Sequence, residues 1–84
     1  MILDVVAVRP DNNFQLELEF ENGECRRFDM KPLLSLKPWN RIANPMEFSR
    51  ARVDYGTVVW QGEIDIAPET LYEDSVPILQ AIGA

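Results

Sequence analysis

Apolar and polar positions alternate along Phe14–Phe20, where Phe14, Leu16, Leu18 and Phe20 take turns with Gln15, Glu17 and Glu19. A period of two sends one set to a buried face and the other to water, so this stretch predicts a half-buried strand. Before it, Ile2–Val8 is a valine-rich run broken only by Asp4, the pattern of a central strand covered on both faces. Pro10, Asp11, Asn12 and Asn13 supply the turn between the two. After it, Asn22-Gly23 signals a hairpin with two available registers. A two-residue loop pairs Leu16 with Asp29 and sends Phe28 to the acidic face. A three-residue loop, Glu21-Asn22-Gly23 with Gly23 left-handed, pairs Leu16 with Phe28 and Glu17 with Arg27. The second keeps Phe28 among apolar neighbours and is the one expected.

Further along, Asp29 is expected to cap a short helix through Leu36, with Pro32 in its first turn, Leu33, Leu34 and Leu36 facing inward, and Pro38 ending it. Asn44-Pro45-Met46-Glu47 reads as a second helix start, with Asn44 as cap and Glu47 completing a capping box. Arg50–Asp54, Thr57–Trp60 and Glu63–Ala67 are three short strands separated by Tyr55-Gly56 and Gln61-Gly62, the spacing of an antiparallel meander. Pro68 and Glu69 open a last short helix carrying Leu71 and Tyr72, and Val76–Ala84 contains no charge. The expected fold is therefore α+β: an antiparallel β hairpin plus a three-stranded meander with two or three short helices. The 84 residues suit a single domain over 1–75 followed by an apolar tail over 76–84.

Charge changes this picture in one respect. The net charge of -6 argues against indiscriminate attraction to nucleic acid or anionic membrane. Residues 31–52, however, carry Lys31, Lys37, Arg41, Arg50 and Arg52 against Glu47 alone, a net of +4. From Val53 onward there are acids and no base. No apolar stretch approaches the ~18 residues of a membrane span and no basic-then-apolar leader follows Met1, so a cytoplasmic, membrane-free protein is expected.

The residue inventory limits the chemistry. Histidine is absent and Cys25 is the single cysteine, which removes the usual nitrogen and sulfur zinc ligands and any intrachain disulfide. Without a histidine base, Cys25, Ser35, Ser49 and Ser75 lack the partner that would make a nucleophile. A buried role is expected for Cys25. Glu17, Glu19 and Glu21 stand about 7 Å apart along one strand face, a flat array that cannot wrap a hard cation and reads as a solvated surface. Paired carboxylates among Asp54, Glu63 and Asp65 would need a pocket that excludes water. No catalytic residue, metal or cofactor is expected.

Binding is the remaining option. Trp39 and Trp60 could anchor a partner, with Arg41, Arg50 and Arg52 recognising carboxylates or phosphates beside them. Each has an ordinary alternative: core packing for the tryptophans, and ion pairs with neighbouring strands for Arg50 and Arg52, which would share a strand face. The uncharged tail either completes the core or joins two copies of the chain.

The ordered run Phe48, Val53, Tyr55-Gly56-Thr57-Val58-Val59-Trp60-Gln61-Gly62, Ile64-Asp65-Ile66-Ala67-Pro68-Glu69 and Leu71-Tyr72 resembles bacterial domain-of-unknown-function family 2442. The opening hairpin, Phe28-Asp29 followed by Pro32-Leu33-Leu34, and the Asn44-Pro45 entry with Phe48 match it in order, to about Ser75. Gln61 replaces a proline common after the tryptophan in that family. The resemblance implies an α+β fold and no agreed activity. It also implies a binding or regulatory role, because some relatives carry a helix-turn-helix domain afterwards and others are encoded beside small partners in a toxin and antitoxin style. This chain stops before such a helix-turn-helix would begin. The leading expectation is a non-enzymatic module that binds a protein partner. The alternative is a nucleic-acid-associated regulator using a basic patch in residues 37–52, and a small enzyme comes last.

Overall fold

The computed structural model describes residues 3–78. Two antiparallel sheets share one core. The first is ordered β1-β2-β3-β7, with β1 over Val5–Pro10, β2 over Gln15–Phe20, β3 over Cys25–Asp29 and β7 over Val76–Pro77. The second is the expected meander of β4 (Arg52–Asp54), β5 (Thr57–Trp60) and β6 (Ile64–Ile66). Two short helices, α1 (Pro45–Phe48) and α2 (Pro68–Glu73), complete an α+β domain with 3₁₀ turns at Lys31–Leu33 and Trp39–Ile42.

The first hairpin adopts the three-residue register. Leu16 faces Phe28 and Glu17 faces Arg27, while Gly23 sits at φ 89 and donates its N-H to Phe20 O. A left-handed residue at that position is what lets a three-residue loop close without splaying the strands. Leu16, Leu18, Phe20 and Phe28 consequently enter the core together, where they meet Phe48, Val58, Trp60, Ile64 and Leu71.

Three expectations are corrected. β1 is an edge strand and not a central one. A register shift between Val5 and Ala7 bulges it, so Val5 is buried while Val6 is 51% exposed. Valine favours any pleated strand, so a valine run does not by itself report cover on both faces. The helix expected through Leu36 is a 3₁₀ turn over Lys31–Leu33. The Asp29 carboxylate accepts from Lys31 N, but the turns that follow close through Leu33 N to Met30 O and Leu36 N to Leu33 O. Between Pro32 and Pro38 too few free N-H groups remain to settle an α-helix, and Leu36 is left exposed. Finally, β4 begins at Arg52, because Arg50 N and Ala51 N donate back to Glu47 O and Phe48 O and prolong the turn after α1. Arg50 therefore shares no strand face with Arg52.

The Asn44 cap of α1 is as expected, with Asn44 Oδ1 accepting from Glu47 N at 2.9 Å, but the Glu47 carboxylate makes no return bond to Asn44 N, so the capping box is only half formed. In the tail, Val76 and Pro77 form β7 against Arg27 and Arg26, and Ile78 N donates to Cys25 O. The rest of the tail expected either to complete the core or to join two copies, residues 79–84, lies outside the described residues. Cys25 is half-buried on the outward side of β3, not buried, and lines a crevice of about 30 Å³ with Ala7, Leu18 and Ile78.

Candidate functional site: the outward face of the meander

In the meander, Val53, Val58 and Ile66 lie in one row and pack toward the core, which turns the next row, Arg52, Val59 and Asp65, to the opposite face. An open depression of about 350 Å³ forms there, floored by Val59 and bordered by Arg52, Asp54, Tyr55, Glu63 and Asp65. A second, of about 330 Å³, lies on the other side of the Gln61-Gly62 turn, bordered by Arg41, Ile42 and Glu47. Gln61, Gly62 and Ile64 belong to both. Arg41 packs so close over Gly62 that an added Cβ would lie 2.9 Å from its guanidinium, which fits the absence of a side chain at that turn.

Tyr55 is the feature sequence reading passed over. Tyr55 and Gly56 both have positive φ, 54 and 72, the geometry of a two-residue type I′ turn. Such turns favour Asn or Asp at the first position, because a β-carbon with a bulky ring costs roughly 1 kcal/mol there. Tyr55 is nevertheless 91% exposed and recovers nothing by packing. The turn is anchored on its other side: Val5 N donates to Gly56 O at 2.9 Å, and the Asp4 carboxylate lies where a Gly56 side chain would be. The turn thus carries the exposed ring at the rim of the depression. A bulky residue placed before glycine in a two-residue turn was the available signal.

The five residues singled out as binding candidates separate in space. Trp60 is 2% exposed, lies beside the Phe48 ring and donates its indole N-H to Phe48 O at 3.1 Å, so its side chain belongs to the core and not to a binding surface. Trp39 is half-buried, with Nε1 donating to Asp65 O at 3.0 Å. That bond occupies a carbonyl of the edge strand β6, which blunts the edge against pairing with another chain. Arg41 borders one depression, Arg52 the other, and Arg50 borders neither. Among the described residues none of the three arginines forms an ion pair. Acids offset the basic run locally: Arg41 shares its depression with Glu47, and Arg52 shares the other with three carboxylates.

Elsewhere the polar groups are tied to one another. Arg26, whose side chain is 13% exposed, donates to Ser75 Oγ, Ser75 O and Glu24 Oε1 and lies 4.5 Å above the Tyr72 ring. The Tyr72 hydroxyl donates to Glu24 Oε2 at 2.8 Å. This bond, with help from Asn22 and Arg26, holds the Glu24 carboxyl below its ordinary range; the same bond, with burial and the Glu24 charge, raises the Tyr72 phenol above its own. The network fastens α2 and β7 to the first hairpin.

Among the described residues no group of three or more cysteines, histidines or carboxylates is arranged to hold a metal ion, and no helix is long and apolar enough to cross a membrane. Comparison with curated proteins and with solved structures found no match. A family model does match, over residues 5–77, which takes in every strand and both helices described above. The chain belongs to the family described as "Protein of unknown function (DUF2442)".

Proposed function

We propose that this domain is a non-enzymatic, cytoplasmic binding module that receives a protein partner on the outward face of the meander, in the antitoxin style that the family resemblance implies. The observation that carries the reading is Tyr55: an aromatic ring kept in a left-handed turn, almost fully exposed, beside an apolar floor at Val59. A residue that costs stability without packing is accounted for by an external contact, and aromatic side chains lead among residues that dominate interfaces. The depressions lack serine, cysteine and histidine, and both are open to water, which favours recognition over catalysis. Because neither depression is net basic, phosphate contacts are the weaker reading.

The test is affinity capture from a lysate of the source cells with wild-type protein and with Tyr55→Ala and Arg52→Ala, followed by identification of what is retained. A specific protein held by wild type and lost from both folded variants is expected. Labelled single- and double-stranded oligonucleotides at ~50 mM salt serve as the opposing probe. Tight oligonucleotide binding that collapses with added salt and with replacement of Arg41, Arg50 and Arg52 would establish the nucleic-acid reading instead.

A further inference from the structure

The charges around Tyr55 specify more than a surface. Arg52 is the one base bordering its depression, against the carboxylates of Asp54, Glu63 and Asp65, a net of -2. Asp4 brings a fourth carboxylate to the turn itself. None of the depression's four charged side chains is engaged in an ion pair among the described residues. Arg52 and Asp65 flank Val59 from opposite sides of β5 without forming an ion pair. Three carboxylates thus border the depression beside Tyr55 with one arginine to offset them, and an exposed aromatic ring attracts cations in its own right. Edge pairing is closed off, since Trp39 covers β6 and β4 lies along β1, so an occupant must use side chains on the face.

Resting on the proposed binding role, we infer that the occupant is a basic segment of a partner protein. One lysine or arginine side chain meets the exposed Tyr55 ring, and a second cation reaches Glu63 and Asp65. This polarity is the reverse of what the basic run at residues 31–52 suggests from sequence. It follows from where the fold puts the charges: Asp54, Glu63 and Asp65, three of the six acids after Val53, border one depression with Arg52 as its only base.

Two acetylated, amidated pentapeptides test it, Lys-Leu-Lys-Leu-Lys and Glu-Leu-Glu-Leu-Glu, titrated into the isotopically labelled full chain and followed by amide chemical shifts. The expected result is saturable shifts at Tyr55, Val59 and Asp65 with the lysine peptide only, weakening as salt rises. Tyr55→Ala should lower the affinity about two- to fivefold while Tyr55→Phe preserves it, and Glu63→Gln with Asp65→Asn should lower it by a similar factor. If the glutamate peptide shifts the same residues instead, the polarity is wrong and the face remains a docking surface. If neither peptide moves the face, or the lysine peptide moves only the Glu17 and Glu19 side of the first sheet, both the inference and the docking surface fail. Concentration-dependent shifts at the face without any peptide would assign it to a second copy of this chain and overturn the inference.

Discussion

In the four-stranded sheet Glu17 is held between Arg9 and Arg27, and Arg26 between Glu24 and Ser75. In the three-stranded sheet Arg52, Asp54, Glu63 and Asp65 find no ionic partner among the described residues, although they crowd one face. The two sheets share a core, so burial does not explain the difference. Where charges answer one another inside the fold they act on stability and register. Where they do not, they remain available to something else, and the exposed Tyr55 stands among the second kind.

The comparison can be broken at its strongest point first. Trp60→Ala should remove about 3–5 kcal/mol, as much as a core this small typically supplies. Thermal circular dichroism is then expected to show no cooperative transition, for both sheets together. Survival of a folded first sheet would mean that the two are separable. Next, Arg26→Ala should cost about 2–3 kcal/mol, because three hydrogen bonds from one charged group are lost and Ser75 is left without its donor. Urea unfolding checks the value, and a loss below about 0.5 kcal/mol would show the network to be incidental.

The same network sets the pH response. Glu24 titrates below its ordinary value when folded, chiefly because of the Tyr72 hydroxyl, so its contribution is complete above the unfolded value and fades as pH falls through the folded one. Tyr72 titrates above its ordinary value, chiefly because of Glu24, so the same bond persists below the unfolded phenol value and is lost as pH rises through the folded one. Glu24→Gln should flatten the acid limb of a stability profile. Smaller still, Glu17→Gln should cost about 0.5–1 kcal/mol against a change within ~0.5 for Asp65→Asn. Smallest and opposite in sign, Tyr55→Asn should raise stability by about 0.5 kcal/mol, since asparagine tolerates the left-handed turn. The same variant should lose the captured partner; improved stability with unimpaired capture would remove the case for Tyr55.

Local signals made much of this legible before the structure. Phe28 selected the register of the first hairpin because only one pairing buries it, and Tyr55-Gly56 closed the first meander turn as read, whereas the second takes three residues, with Glu63 left-handed and outside β6. Asn44-Pro45 marked α1 by the chemistry of an exposed helix start. What escaped depends on distant contacts. The short β7 pairs with β3 across some fifty residues, the edge position of β1 is set by the sheet order, and the depressions that Arg41 and Arg52 border form only once the meander has folded. The basic run was a correct count of charges in one dimension. In three dimensions the acids, not the bases, share a face.

The hydrogen bond from Trp39 to Asp65 also supplies an optical handle on the molecule. The two indoles sit in contrasting surroundings, Trp60 sealed in the core and Trp39 half-buried against the edge of β6. Emission from Trp60 should be blue-shifted and shielded from a soluble quencher such as acrylamide, while Trp39 remains within its reach. The β6 edge and the core thereby each carry a lamp: loosening of β6 opens the quencher's access to one, and collapse of the fold exposes both.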